Sequence, residues 1–200
     1  VIEATRFLAS FVSSAPKAPK GPALNKENFR KRVVFENDAL IVINKKKGEL
    51  VHQAGKNRKF STLDMLVRQY LDFDEGSSLS FAPGPLHRLD RNTSGIIAFG
   101  KSAEGARKFS LLLQGREVKK CYIALMEGNL KQEVLWRDRI ARQEEKNISL
   151  VFPISHETGD EAVTTAIPVL RSGGRTLTMV EIGTGRTHQI RAHFAHFGHP

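Results

Sequence analysis

The sequence contains little of several features that define common classes of protein. Only Cys121 among its 200 residues is a cysteine, so no internal disulfide can form, which favours a reducing compartment and predicts a cytoplasmic location. No apolar run approaches the roughly 20 residues that a membrane-spanning helix needs. Residues 1–6 lack the basic stretch that opens a secretory signal. These absences predict a protein with no membrane partner.

Acidic residues are also under-represented relative to basic ones. The chain has 21 Asp and Glu against 31 Lys and Arg, a net charge of +10. Such a surplus favours a polyanionic partner, although ribosomal, chromatin and membrane-surface proteins share it. Hydrophobic residues make up 40%, which excludes disorder throughout the chain. A start at Val1 and a stop at Pro200 suggest a piece of a longer polypeptide.

The first 32 residues differ in composition from the rest. Residues 2–12 have apolar side chains near helical spacing, which predicts a short amphipathic helix. Residues 15–32 hold three prolines and six Lys or Arg with one acid, Glu27. This pattern predicts a basic linker with no apolar face to bury, either a solvated tether or an arm that faces RNA. We therefore expect the folded domain to comprise residues 33–200.

Strand patterns outnumber helical ones in that domain. The segments with strand-like composition are 33–35, 39–43, 94–99, 121–126, 148–152, 162–170 and 176–182. The first two flank a polar turn at residues 36–38, which predicts a hairpin. Helical patterns start at a capping box, residues 61–64, at Ser102 and near Thr187, and the first carries Leu63, Leu66, Val67 and Tyr70 on one face. Strands in neighbouring groups predict an α+β fold with a mixed, mostly antiparallel sheet core flanked by helices.

The densest group of polar residues is His87-Arg88-Leu89-Asp90-Arg91-Asn92-Thr93-Ser94-Gly95, just before an apolar strand. In extended chain Arg88 and Asp90 share one face while Leu89 points inward. Residues 93–95 supply a turn that would leave Asp90 at the edge of a cleft, where a carboxylate can act as nucleophile or general base. From this segment alone, a structural Arg–Asp pair at a strand end is the favoured interpretation.

A second polar group is Gly183-Thr184-Gly185-Arg186-Thr187-His188-Gln189-Ile190-Arg191. A glycine-rich turn that enters a capped helix offers free backbone N–H groups for phosphate, and its arginines add charge. An ordinary helix start with exposed arginines remains an equal interpretation, because no P-loop pattern is present.

Four histidines near the end of the chain raise the question of a metal. They are His188, His193, His196 and His199. Their spacing does not gather four ligands on one short helix, and no acid lies among them, so we expect no metal and histidines at a polar face or interface. Tyr122 follows two lysines on a predicted strand, where core packing is the default and stacking on a base the alternative.

Taken together, these motifs resemble the RluA-type pseudouridine synthases. The resemblance rests on residues 87–95, 120–124 and 185–193 in this order, and it covers about Val33 to Pro200. It implies a catalytic domain that lacks its last strands here. A Lys-Pro-x-Gly segment of the family is replaced by residues 45–48, Lys-Lys-Lys-Gly, which puts the local turn in question.

The resemblance also implies roles for individual residues. Asp90 would be the catalytic aspartate of the isomerisation of uridine to pseudouridine, Arg191 its basic partner, and Tyr122 the ring against the base. Arg88 would fill the space of a flipped nucleotide. The residues implied to contact RNA and shape the site are Arg186, His188 and Gln189.

The implied reaction needs no cofactor, and we expect a monomer that acts on structured RNA, ribosomal in preference to transfer RNA. The chemistry leaves two routes open, covalent addition of the aspartate at the sugar or removal of a 2′ proton. An alternative function is a catalytically inactive RNA-binding module of the same fold.

Overall fold

The computed structural model describes residues 24–52, 61–74, 81–145 and 148–200. The chain divides into two compact units, Val1–Ala106 and Arg107–Pro200. Both contain an antiparallel sheet and helices, so the predicted α+β class is confirmed. The expected helix at 2–12 and the arm up to residue 23 lie outside the described residues. No helix in the described ranges is both long and apolar enough to cross a membrane.

The first unit is built on a four-stranded sheet of order β1-β2-β4-β3. Its elements are α1 (Lys26–Arg30), β1 (Val33–Glu36), β2 (Leu40–Lys45), α2 (Leu63–Tyr70), β3 (Gly84–Pro85), β4 (Gly95–Gly100) and the start of α3 (Ala103–Gln114).

The predicted hairpin at the start of this unit is confirmed. β1 and β2 pair antiparallel, and the Asn37 side chain accepts the N–H groups of Ala39 and Leu40 at 2.9 and 2.8 Å, which closes the turn. Alternate β2 residues Ile41 and Ile43 point inward and are fully buried.

The core of the first unit lies between this sheet and α2. Its buried members from the sheet and the helix are Ile41, Ile43, Ile97, Phe99, Leu63 and Val67. The predicted helix at residue 63 is confirmed and spans 8 residues, about two turns. The predicted capping box does not form, because the Thr62 hydroxyl donates to the Asp64 carboxylate instead of accepting a backbone N–H. The first N–H groups of the helix find other acceptors: those of Leu63 and Asp64 donate to the Leu50 and Val51 carbonyls at 2.8 and 3.0 Å, and that of Met65 donates to the Asp64 carboxylate at 2.8 Å.

Phe29 overturns part of the prediction for the basic segment 15–32. Residues 26–30 form α1, and Phe29 is 2% exposed in the core of the first unit, 5.2 Å from the Tyr70 ring. The expectation that this segment has no apolar side chain to bury is therefore wrong for its described part. A single aromatic ring in a charged segment suffices to attach it to the core, because burial of a ring is worth more than a short helix gains alone.

The second unit is built on a five-stranded sheet of order β5-β9-β8-β6-β7. Its elements after the end of α3 are β5 (Lys120–Glu127), β6 (Val134–Gln143), β7 (Ile148–Phe152), β8 (Asp160–Ser172), β9 (Arg175–Ile182) and α4 (Gln189–His196). Four of the five strands were predicted at these places. The predicted cap of α3 also forms, since the Ser102 hydroxyl accepts the Gly105 N–H at 3.1 Å.

The strand of the second unit that the sequence analysis missed is β6. Arg137, Asp138 and Arg139 interrupt its apolar pattern, although Trp136 and Ile140 are buried at alternate positions, 8% and 5% exposed. The core of this unit lies between the sheet and α4, with buried members Met126, Trp136, Ala166, Val180, Ile182 and Phe194. This packing positions the loop between β9 and α4.

Candidate functional site

Asp90 lies in the first unit, in the loop between β3 and β4. Leu89 is buried, Arg88 is exposed and Asp90 is half-buried, as the predicted alternation requires. The turn itself lies earlier than predicted, because the Thr93 N–H donates to the Asp90 carbonyl at 3.0 Å and closes a four-residue turn at Asp90. Asp90 is therefore the first residue of a tight turn that enters a buried strand.

A fully buried lysine, Lys45, holds this turn. Lys45 ends β2 at an inward position and is 0% exposed. Its Nζ lies within hydrogen-bond distance of four carbonyl oxygens, those of Lys46, Asp90 and Arg91 at 3.1 Å each and of Thr93 at 2.6 Å. Three of these oxygens belong to the Asp90 turn. The cation thus fixes the backbone from which the Asp90 side chain projects.

Burial is the main cause that lowers the pKa of Lys45 below its usual value. The negative charges of Glu49 and Asp90 oppose this effect and favour the ammonium form. Lys45 was missed by the sequence analysis, which treated lysines as surface charge. The available signal was its place in the inward series Ile41, Ile43, Lys45, where a strand carries its buried side chains.

The segment after Lys45 supports the same turn from a second side. The Gly48 N–H donates to the Arg91 carbonyl at 2.7 Å, and Arg91 Nε donates to the Gly48 carbonyl at 3.2 Å. Gly48 has φ +88°, which only glycine adopts without strain. Glu49 pairs with Arg32 at 2.6 Å and accepts the Lys46 N–H at 2.8 Å. The local turn therefore forms without the proline of the Lys-Pro-x-Gly pattern.

His87 anchors the start of the Asp90 loop to the sheet. Its Nε2 accepts the Ala98 N–H at 3.1 Å, and the Leu86 N–H donates to the Ala98 carbonyl at 2.9 Å. An imidazole nitrogen that accepts an N–H carries no proton, so Nδ1 carries the proton of the neutral ring. The loop is thus fixed at both ends, by β4 and by Lys45.

In the second unit, Gln189 organises the loop between β9 and α4. It is 3% exposed, and its Oε1 accepts the Thr184 hydroxyl at 2.7 Å and the Arg186 N–H at 3.0 Å. Its Nε2 donates to the Val163 carbonyl and the Thr164 hydroxyl, each at 2.9 Å. All four bonds go to protein, which supports the predicted site-shaping role of Gln189, while its predicted contact with RNA stays a prediction.

The start of α4 also differs from the prediction. The helix begins at Gln189 rather than near Thr187, and no side chain caps it. His188 precedes it in the left-handed region with φ 55°, where a residue other than glycine is strained. The Arg186 N–H is bound to Gln189, so this N–H is not available to a phosphate as the sequence analysis had assumed.

Arg186 lies at the surface of this loop. Its Nη1 lies 3.3 Å from the Asp160 carboxylate and its Nε donates to the Glu161 carbonyl at 2.9 Å. The side chain remains 39% exposed, so part of the guanidinium faces solvent. Both partners belong to the start of β8, which fixes the direction of the arginine.

His193 contradicts the prediction of histidines at a polar face. It is 0% exposed on the buried face of α4, where its Nδ1 lies 2.8 Å from the Thr164 hydroxyl oxygen. Burial is the main cause that lowers its pKa, which favours the neutral ring, while the Asp138 carboxylate opposes the shift. Within the described ranges no group of three or more His, Cys, Asp or Glu side chains could hold a metal ion.

The remaining predicted residues belong to the second unit. Tyr122 lies on β5 opposite Val180, half-buried against the core of that unit, and Arg191 is an exposed residue of α4. Asp90 belongs to the first unit and these two residues to the second. The structure therefore brings Arg88 and Asp90 together in one loop and Arg186 and Gln189 together in another.

Known proteins are similar to this chain across both of its units. The family described as RNA pseudouridylate synthase matches residues 39–196. An uncharacterized RNA pseudouridine synthase of Chlorobaculum parvum is 35% identical over 90% of this chain and 56% of the relative. Ribosomal large subunit pseudouridine synthase D of Pasteurella multocida is 32% identical over 87% of this chain and 52% of the relative. The chain spans about half the length of these curated relatives.

Solved structures support the fold. Human RNA pseudouridylate synthase domain containing 1 superposes with a TM-score of 0.68 at 22% identity, over 92% of this chain and 69% of that one. Human RNA pseudouridylate synthase domain containing 4 superposes with a TM-score of 0.69 at 18% identity, over 88% of this chain and 68% of that one. With the family match extending over most of its length, the chain belongs to the RNA pseudouridylate synthase family.

Proposed function

We propose that this chain isomerises uridine to pseudouridine in structured RNA, with Asp90 as the catalytic carboxylate. The observation that carries the proposal is the support of the Asp90 turn by Lys45 and Gly48, which fixes the backbone from which the half-buried Asp90 side chain projects. Positioning of this kind is what a nucleophile or base needs, because misplacement by about 1 Å costs about 100-fold in rate.

The reaction is an isomerisation and balances within the nucleotide. The bond between C1′ and N1 breaks, the uracil turns, and C5 bonds to C1′ while C5 loses a proton and N1 gains one. The Asp90 carboxylate would either add to C1′ and leave again, or remove the 2′ proton and return it. Either route restores the carboxylate without an oxidant, so the proposed reaction uses no cofactor.

Residues of the second unit also have proposed roles. We assign Tyr122 to the face of the target base and Arg191 to the Asp90 carboxylate, and we assign Arg186 and His188 to contacts with RNA. Tyr122 is half-buried, so part of its ring packs against the core while the rest could stack on a base, which supports this role. The exposed Arg88 would occupy the space left by the flipped nucleotide.

Ribosomal RNA is the proposed substrate in preference to transfer RNA. Several relatives at 28–32% identity are named ribosomal large subunit pseudouridine synthase D, whereas a yeast relative at 30% identity is named tRNA pseudouridine(32) synthase, mitochondrial. The net charge of +10 suits either polyanion. Mapping pseudouridine in ribosomal and transfer RNA of cells with and without the gene decides between the two.

The direct test of the activity is the variant Asp90→Asn. We expect pseudouridine formation on ribosomal RNA transcripts to fall by at least about a thousandfold, because the amide neither attacks C1′ nor accepts a proton. The matched control is Asp38→Asn, which removes an exposed carboxylate of the same unit and should leave the rate unchanged. Undiminished activity of Asp90→Asn would refute the assignment.

The competing function is an RNA-binding module of the same fold without turnover. Specific binding of RNA by the wild-type chain, with no pseudouridine formed in any cellular RNA, would establish it instead. We further propose that the protein is a monomer. We also propose that it is cytoplasmic, and the free, exposed thiol of Cys121 supports this location. Light scattering of the purified chain and cell fractionation test these two points.

A further inference from the structure

Three cationic residues of the second unit lie near one end of its sheet, where the charges of two arginines act on one lysine. Lys120 begins β5 opposite the end of β9, and its Nζ lies 3.7 Å from the position that a Cβ of Gly185 would take. It therefore lies beside the loop that carries Arg186. Arg116 follows the end of α3, four residues before Lys120. We call Arg116, Lys120 and Arg186 the Arg116 cluster.

Within the described residues, only one of the three cations in this cluster has an acidic partner. Burial, and then the positive charges of Arg116 and Arg186, lower the pKa of Lys120 below its usual value, and no carboxylate opposes the shift. Arg186 has an ion pair with Asp160, but in the part of the chain that the structure describes no acid pairs with Arg116 or Lys120. Gathering like charges costs free energy, which an anionic ligand would offset.

The backbone of Arg116 carries a second cost. The Glu117 N–H donates to the Leu112 carbonyl at 2.9 Å and the Arg116 N–H to the Leu113 carbonyl at 3.2 Å, the two bonds of a Schellman motif. Arg116 occupies its left-handed position with φ 58°. Glycine is the usual residue there, because a side chain is strained at this φ. The chain thus places an arginine where stability alone favours glycine.

We infer that the Arg116 cluster binds a phosphodiester of the RNA backbone, next to the nucleotide whose base faces Tyr122. This inference rests on the proposed function and adds Arg116 and Lys120 to its RNA contacts. Guanidinium groups bind phosphate oxygens in pairs and an ammonium group binds them as a point charge. Lys120 and Tyr122 lie two residues apart on one face of β5, about 7 Å along the strand, so phosphate and base would be held side by side.

Salt dependence of RNA binding tests the cluster. The probe is a fluorescein-labelled RNA stem-loop with uridines in its loop, titrated with the full 200-residue chain between about 50 and 200 mM salt. We expect Arg116→Gly and Lys120→Gln each to weaken binding about tenfold and to reduce the slope of log K against log salt by about 0.7. Lys120→Arg, which keeps the charge, should retain most of the affinity.

Matched controls remove the same charges at the other end of the sheet. Arg175 lies at the start of β9 opposite Glu127, and Lys131 follows the end of β5, both exposed. Arg175→Gly and Lys131→Gln should change affinity less than about twofold. Arg116→Gly should also unfold at the same or a higher temperature than wild type, because glycine relieves the left-handed backbone. Equal losses in cluster and control variants would overturn the inference.

Neutral phosphates locate the contact. We prepare a set of stem-loops, each with one uncharged methylphosphonate near a loop uridine. At one position the methylphosphonate should weaken binding by wild type but should not weaken binding by Arg116→Gly or Lys120→Gln, which already lack the contact. If every methylphosphonate weakens wild type and variants alike, or if wild type does not bind the RNA, the inference is wrong. If the methylphosphonate affects wild type alone but the chain forms no pseudouridine, the phosphate contact stands and only the proposed activity is refuted.

Discussion

The variant Lys45→Met tests whether the Asp90 turn is held by the buried ammonium group. Methionine keeps most of the side-chain volume but cannot donate to the four carbonyl oxygens around Nζ. The Asp90 and Arg91 carbonyls keep other donors, the N–H groups of Thr93 and Gly48. The Thr93 carbonyl loses its 2.6 Å bond to Lys45.

One strongly bound carbonyl left without a donor costs about 1–3 kcal/mol, so we expect the free energy of unfolding to fall by that amount. This is a fraction of the about 5–15 kcal/mol of a typical domain, and the variant should remain folded. The rate of pseudouridine formation should fall by about 100-fold, because the Asp90 carboxylate is no longer fixed to within about 1 Å. RNA affinity should change little, since Lys45 is fully buried.

The assay compares single-turnover pseudouridine formation, RNA affinity and urea denaturation for wild type, Lys45→Met and Lys47→Met. Lys47 is exposed in the same segment, so its variant removes an equal charge without touching the turn. If Lys45→Met only destabilised the fold, lower temperature would restore the rate of pseudouridine formation. If the carboxylate is misplaced, the rate stays low at every temperature. The reasoning is refuted if Lys45→Met turns over like wild type while folded, or if Lys47→Met loses as much.

Two further predictions concern buried polar groups. The pKa of Lys45 is lowered in the folded state from 10.5, so between the two values the unfolded chain binds more protons and the free energy of unfolding rises with pH. Urea denaturation from neutral to alkaline pH should show this rise in wild type relative to Lys45→Met, and equal slopes would contradict it. Gln189→Leu should lose about 1–3 kcal/mol in the same assay, because the Arg186 N–H loses its acceptor; stability equal to that of wild type would contradict the role of Gln189.

Local patterns sufficed for elements whose apolar residues repeat without interruption. The hairpin around Asn37 and the helix from Leu63 were predicted because turn chemistry and periodicity agree there. β6 was missed because charged residues share its alternate positions, and only the sheet reveals that Trp136 and Ile140 point inward. Phe29 was missed for a related reason, since its partner Tyr70 lies 41 residues away in sequence and no local pattern includes it.

The polar residues of the candidate site divide in the same way. Asp90 and the loop of Arg186 were located from motifs, because their residue types are unusual at a strand end and at a helix start. Lys45 was missed, and so were the hydrogen bonds of Gln189 to the protein, because a lysine or glutamine is normally a surface residue. Their burial depends on carbonyls supplied by distant segments, which a single sequence does not display.

Both loops are held through backbone atoms, and this separates support from chemistry. Lys45 binds carbonyls of the Asp90 turn, and Gln189 binds the Arg186 N–H and the Val163 carbonyl. None of these bonds uses the Asp90 carboxylate. Asp90→Asn therefore leaves them in place, so a loss of turnover in that variant reports on the carboxylate, whereas Lys45→Met changes the support and keeps the carboxylate. The two variants together distinguish the reacting group from the structure that positions it.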